Sequence, residues 1–377
     1  MLTMFHDLIA WAPTGVPAFI VVIAIVVFVH ELGHFLVARA CGVGVKTFSI
    51  GFGPEIFGWN DTKGTRWKVS WLPLGGYVMF EGDADAASTP DAEAVAKMTD
   101  EEKARALPLK PLWQRAAVSA AGPVANFILA LVVFTILFGT YGGRALGTYV
   151  GGIQDKSPAA EAGLKLGDKI TAVNGKAVQY FSPDLIDAIQ GSKAKTLVLT
   201  IQRGDQRLNL PVTPREIEVK DIFGSTQQNK AIGVARDETS PENILTFPIS
   251  WGHAPVAAAF QCYAIVDTSL TYLWRIVSHR ADASQLGGPV RIAKAAKSAA
   301  SHGIYDFIFL IAVISVSIGL INLFPIPLLD GGHLLYYACE GVLGRPLPRR
   351  VQDAGIGFGL VLVISLMVFA TWNDLVR

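Results

Sequence analysis

Residues 21–40, VVIAIVVFVHELGHFLVARA, constrain this chain more than any other stretch. Residues 19–29 are apolar without a break. His30-Glu31-Leu32-Gly33-His34 interrupts them, and residues 35–38 are apolar again. A glutamate and two histidines inside hydrocarbon are unfavourable unless they are paired or functional. On a helix, positions i and i+4 lie one turn apart on the same face. Two imidazoles so placed, His30 and His34, can hold one Zn²⁺, with Glu31 beside them as general base. The alternative, a chance H-E-x-x-H on a soluble helix, leaves the apolar flanks unexplained.

Composition agrees with a membrane protein carrying soluble parts. Of 377 residues, 51% are hydrophobic and 17% charged, and the mean hydropathy is +0.40. A net charge of +1 gives no case for nucleic acid as a partner. Cys41, Cys262 and Cys339 are far apart and odd in number. They make neither a disulfide framework nor a cysteine zinc site, and read as small apolar fillers.

Ala38-Arg39-Ala40 resembles a signal-peptide cleavage site, but no Lys or Arg precedes Arg39. A signal peptide needs positive charge there, so the segment reads as an uncleaved span over about residues 15–40, after a short leader at 1–14. Roughly 20 residues at about 1.5 Å each cross a core of about 30 Å. Positive charge begins only with Arg39, Lys46, Lys63, Arg66 and Lys68. The positive-inside rule then puts the N-terminus outside and His34 near the cytosolic face.

Residues 43–82 change period. Two aromatic, β-branched stretches flank the turn Asn60-Asp61-Thr62-Lys63-Gly64, predicting a β-hairpin or small sheet. Directly after the metal helix, an exposed strand edge there could hold a substrate peptide extended. Residues 83–112 read as a polar, solvated loop, with a capping box at Thr99–Glu102. Residues 113–140 form a second span. Ala117, Ala121 and Ala125 recur at spacing four, which permits close helix packing, and Asn126 lies inside the span.

Residues 147–215 read as a soluble domain. Ser157 caps a short helix with Pro158 at its first position and Gly163 at its end. Asn174-Gly175 signals a tight hairpin. Residues 195–203 and 206–213 read as paired strands. The pattern S-P-A-A-x-A-G-L-x-x-G-D-x-I-x-x-V-N-G closely resembles a PDZ domain of the bacterial protease-associated type. Such domains bind peptide ends by strand addition. Residues 216–300 read as a linker with amphipathic helices at the outer surface. The apolar run at 254–266 is too short and polar for a span.

Residues 304–324 make a third span and 354–373 a fourth. Between them, Pro325 and Pro327 forbid a regular helix in Pro325-Ile326-Pro327-Leu328-Leu329-Asp330-Gly331-Gly332-His333. Irregular backbone at membrane depth is tolerated where it lines a cavity. Asp330 is thus a candidate third zinc ligand, with His333 as its competitor. Arg345, Arg349 and Arg350 mark the cytosolic side again.

H-E-L-G-H-F at 30–35, A-G-P-V-A-N-F at 121–127, the PDZ segment and N-L-F-P-I-P-L-L-D-G-G at 322–332 occur in that order. Together they resemble the site-2 protease family in its RseP-like bacterial branch, over nearly the whole chain. The resemblance implies an intramembrane zinc metalloprotease of the bacterial inner membrane. Its substrate would be a single-pass membrane protein, often an anti-sigma factor, already trimmed by another protease. By matching position, His30, His34 and Asp330 resemble the ligands and Glu31 the base. Asn126 and Asn322 match asparagines implied to meet substrate backbone. Relatives often carry two PDZ domains in tandem, whereas this chain shows one.

The fold expected is an α-helical membrane protein with four transmembrane helices, a membrane-associated β-hairpin or sheet and an inserted α+β PDZ domain. Its parts are a membrane core at 1–140, the PDZ domain at 147–215, an outer-face linker at 216–300 and a second part of the core at 301–377. The PDZ domain lies on the periplasmic side and the active site toward the cytosol. A catalytically inactive PDZ scaffold is the alternative function, but no motif residue is lost. A transporter would call for an inverted repeat, and none is evident.

Overall fold

The computed structural model describes residues 2–83, 92–220, 226–237, 240–279, 283 and 287–376. Helix α1 (Leu2–Ala40) is one continuous 39-residue helix. The leader expected at 1–14 therefore continues the span from Leu2 onward. A helix end left inside a membrane surface would strand four backbone N–H groups, and extension of the helix avoids that. Strands β1 (Val45–Asn60) and β2 (Arg66–Phe80) pair antiparallel. Residues 45–50 pair with 76–80, and 55–60 with 66–70, with register shifts between. The hairpin is pinned to α1. Arg39 Nη2 donates to Asp61 Oδ2 at 2.8 Å and to Thr65 Oγ1 at 2.5 Å. Phe35, Phe48 and Trp67 pack edge-on and stacked beneath it.

The acidic stretch at 84–91 lies outside the described residues. Helix α2 (Ala92–Lys97) follows, then α3 (Asp100–Arg105) with the expected capping box between Thr99 and Glu102. Helix α4 (Leu112–Tyr141) carries Pro123 inside it. Its outward residues Val124, Ile128, Leu131, Val132 and Ile136 are exposed and apolar, as a lipid-facing surface requires.

A second compact unit, centred on Phe138–His253, is inserted here. It contains β3 (Gly143–Leu146), β4 (Val150–Ile153), α5 (Pro158–Glu161), β5 (Lys169–Val173), β6 (Lys176–Ala177), α6 (Ile186–Gln190), β7 (Leu197–Arg203) and β8 (Gln206–Val212). The sheet order is β6-β5-β7-β8. Ser157 accepts from Ala160 N as a cap with Pro158 following. Asn174 and Gly175 both have positive φ, as a tight hairpin needs. The core gathers Leu164, Ile170, Leu185, Leu197, Leu199, Ile201 and Ile232.

The chain does not leave this unit at 215 as a linker. Strands β9 (Arg215–Lys220) and β10 (Thr226–Ala231) form a ladder. Strand β11 (Val234–Arg236) returns to β4, and β12 (Ile244–Phe247) to β3. These strands are short, three to six residues each, so period-two hydrophobicity did not reveal them.

Helix α7 (Ala254–Val277) falls outside the helices long and apolar enough to cross a membrane. Val256, Phe260, Tyr263, Leu270 and Trp274 are exposed along it at helical spacing. Helix α8 (Pro289–His302) packs against α1 and α9 (Ile304–Asn322). Helices α10 (Asp330–Leu343) and α11 (Arg349–Val376) complete the chain. Asp374 Oδ2 accepts from Gly288 N at 2.9 Å and Arg291 N at 2.8 Å, so the end of α11 caps the start of α8.

Among the described residues, four helices have the length and apolarity to span a membrane: Gly15–Ala40, Leu112–Tyr141, Ile304–Asn322 and Arg349–Val376. Their mean hydropathies are 2.3 or 2.4. Even the shortest, at about 1.5 Å per residue, is roughly 28 Å long.

Candidate metal centre

Three elements deliver the site. His30 and His34 project from one face of α1, and Asp330 opens α10. The approach of α4 to α1 depends on small residues. A Cβ on Gly33 would lie 2.4 Å from Ala121 O, and one on Gly122 would lie 2.3 Å from His34 Nε2 and 2.8 Å from His30 Cε1. Gly122 therefore clears the volume that both imidazole rings fill. The loop before α10 makes its turn at Leu328, whose φ is 94°. Such backbone is strained for a side chain with a Cβ. Here it turns the chain out of the two prolines so that α10 starts at Asp330.

The donor atoms converge. His30 Nε2 lies 3.3 Å from His34 Nε2, and Asp330 oxygens lie 3.1 Å from His30 Nε2 and 3.4 Å from His34 Nε2. Ligands about 2.0–2.1 Å from a tetrahedral zinc are about 3.3 Å apart from one another. Buried Asp330 Oδ2 has no partner with hydrogen-bond geometry, despite the nearby ring. His34 Nδ1 donates to the Val118 carbonyl at 2.7 Å, which leaves Nε2 as a lone pair facing the other donors. A cluster of acceptors aimed at one point, in a buried place, is a donor set that fits Zn²⁺. Among the described residues, His30, His34 and Asp330 form the one group of three potential ligands within 4.8 Å of one another. His333 lines the same pocket outside that group.

The surrounding pocket is about 190 Å³ and is lined by His30, Glu31, His34, Asn322, Asp330, His333 and Tyr337 together with Tyr77 and Val78 of the hairpin. Val78 N–H donates to the Glu31 carboxylate. Among the described residues, the other side of 76–80 carries no strand. Asn322 lines the pocket, whereas Asn126 is fully buried with its amide against His30 Nδ1 at 3.2 Å.

Sequence reasoning missed Gly122, Ser119 and Tyr337. Tyr337 stands seven residues after Asp330, on the same helical face as His333, and that spacing was the available signal. It bonds Ser119 and lies under the Arg115 guanidinium, 5.1 Å from its ring centroid. Arg115 in turn holds Glu340 with contacts of 2.5 and 2.9 Å. This clamp fixes α10 against α4.

The profile of peptidase family M50 matches residues 18–366. A provisionally named zinc metalloprotease of Agrobacterium fabrum is 44% identical over 357 residues, covering 95% of this chain and 94% of that protein. The metalloprotease MmpA of Caulobacter vibrioides is 36% identical over 378 residues, covering 94% of each. The PDZ domain of the SdrC-like protein of Listeria innocua matches 25% of this chain and 97% of that domain, at 24% identity and a TM-score of 0.20.

Proposed function

The chain belongs to peptidase family M50 and is a zinc metalloprotease of the site-2 type; from that premise we propose that it cleaves a single-pass membrane protein within or near its transmembrane segment. The observation that carries this reading is the meeting of three converging donors, two of them on buried histidines, with Glu31 and an open strand edge in a single pocket. His30, His34 and Asp330 would hold the zinc. When bound, zinc polarises the scissile carbonyl and lowers the pKa of water. Glu31 is placed to accept a proton from the attacking water and to pass it to the leaving amine. The Val78 N–H holds the Glu31 carboxylate in place for this transfer.

A helical substrate hides its amides in its own hydrogen bonds, so a scissile bond must first be drawn out into an extended strand. The open side of 76–80 offers backbone groups for that purpose, as in strand addition. Asn322, at the pocket wall, supplies a polar side chain to the substrate backbone. Helices α1, α4, α9 and α11 cross a bacterial inner membrane in contact with lipid. The second unit is a PDZ-like domain on the periplasmic side, where it governs which substrates reach the pocket and can take peptide ends.

The test uses the full chain purified in detergent, with zinc content and cleavage of a model transmembrane peptide as readouts. Wild type is expected to hold one zinc and to cleave. Glu31→Gln is expected to keep the zinc and the fold while losing roughly 10²- to 10⁴-fold in rate. His30→Ala is expected to lose both. Undiminished cleavage by Glu31→Gln would remove the general base from this scheme.

A further inference from the structure

We infer that Asn126 is the positioning residue of the metal centre: its side-chain carbonyl accepts the His30 Nδ1–H and commits His30 Nε2 to the metal. The inference rests on the metal-site reading above and adds a residue to it. It also departs from the substrate-contact role that the motif resemblance implies for Asn126.

Three observations place Asn126 there. It is fully buried on α4, and its amide stands 3.2 Å from His30 Nδ1. Its backbone is fixed from α9, where Ser315 Oγ donates to the Asn126 carbonyl at 2.8 Å. Gly319 on α9 makes room for it, since a Cβ there would already lie 3.3 Å from the Asn126 Cβ. The residue is therefore held between α1 and α9, and among the described residues it does not line the pocket where a substrate would lie.

The chemistry of the ring decides which end of the amide faces it. An imidazole that binds a metal through Nε2 carries its proton on Nδ1, and that proton needs an acceptor. An asparagine amide presents oxygen or nitrogen in nearly the same volume after a half-turn. The end facing away from His30, drawn as Oδ1, is buried without a partner, so no second contact fixes the orientation. Oxygen toward His30 gives an Nδ1–H···O bond and leaves the Nε2 lone pair for the metal. Nitrogen toward His30 would force the proton onto Nε2, only 3.1 Å from Asp330 and 3.3 Å from His34, and close the site. His34 shows the same logic resolved by backbone, with Nδ1 on the Val118 carbonyl.

The test measures zinc affinity of the full chain in detergent, by competition with a chromophoric chelator, for wild type, His30→Ala, Asn126→Leu and Asn126→Asp. Leucine removes the acceptor at similar size. Aspartate keeps an acceptor and has no donor when ionised. The expected result is a roughly 10- to 100-fold weaker zinc affinity for Asn126→Leu, and an affinity for Asn126→Asp equal to wild type or tighter. An Asn126→Leu affinity within twofold of wild type, with a raised KM, would overturn the proposal and return Asn126 to the substrate. An Asn126→Asp affinity as weak as that of His30→Ala would also overturn it, because the amide would then be acting as donor. If Asn126→Leu does not fold, the aspartate variant decides alone by the same criterion. Wild-type zinc binding that does not depend on His30 would sink the metal-site reading itself, a different result from any of these.

Discussion

At the scale of single residues, the site is built as much by what is missing as by what is present. Two imidazoles and a carboxylate occupy one buried point because Gly122 has no side chain. A methyl group there would meet His34 Nε2 at 2.3 Å and His30 Cε1 at 2.8 Å, both far inside van der Waals contact. Neither ring can give way along α1, because His34 is tied by Nδ1 to Val118 O and His30 Nδ1 meets the Asn126 amide. Gly122→Ala also raises the helix propensity of α4 by about 1 kcal/mol. The expected outcome is a variant that keeps its helical content and reaches the membrane yet loses bound zinc and activity, the latter by 100-fold or more, the scale on which small misplacements act. Metal analysis beside circular dichroism checks this. Full zinc occupancy in a folded Gly122→Ala protein would contradict the assigned ring positions.

At the scale of elements, the inserted unit supplies a pH-dependent contact that can be tested apart from the chemistry. Asp168, at the entry to β5, is 1% exposed. Burial alone would raise its carboxyl. The Arg203 guanidinium on β7, bonding both oxygens at 2.7 Å, outweighs that and holds the carboxyl below its ordinary value. A folded pKa below the unfolded one contributes stability that is fully present above the unfolded value and is lost as pH falls through the folded value. The loss therefore occurs below about pH 3.9. In the full chain, amide protection in β5 and β7 should be lower for Asp168→Asn than for wild type at pH 7, and the two should converge below that pH. A difference that persisted undiminished at the acid end would assign the contact to something other than the ion pair. The elements themselves were unequally legible. The HExxH face and the apolar spans could be read because helical spacing and hydropathy are local properties. The capping box and the Asn174-Gly175 turn were legible for the same reason. The return of β11 and β12 to β4 and β3 was not, since those pairings join residues some 80 to 100 positions apart through strands of only three and four residues. The choice between Asp330 and His333 was open in the sequence because it depends on the turn at Leu328. The partner of Asn126 was hidden because a helical position shows its face only once its neighbours are known.

At the scale of the whole molecule, helix directions within the membrane core constrain the topology. His34 meets Val118 while His30 meets Asn126, so α4 descends as α1 advances and the two are antiparallel. Ala18, Phe19, Val22 and Val26 of α1 pack with Phe307, Leu310, Ile311, Ile314 and Ile318 of α9. Both helices then run on to the metal centre, α1 to His30 and His34, α9 to Asn322 and the loop before Asp330. Helices α1 and α9 are therefore parallel. Since α4 runs in the opposite sense, the expectation is that residues 142–303 begin and end on the same membrane face. Helix α7 is not among the four helices of spanning length and apolarity, and this arrangement does not require it to cross. Charge then names the faces. Arg39 and Lys46 follow the HExxH segment, and Arg345, Arg349 and Arg350 precede the last span, so the positive-inside rule predicts a cytosolic location for that face. Cysteines introduced at Ser182 and Ser240 should accordingly be labelled by an impermeant thiol reagent from outside intact cells. One introduced at Gln352 should be labelled only after permeabilisation. The native Cys41, Cys262 and Cys339 are first replaced by serine to clear the background. Labelling of the Gln352 position from outside would place the start of α11 on the wrong face. The parallel arrangement of α1 and α9 would then be untenable, and so would a single zinc shared by His30, His34 and Asp330.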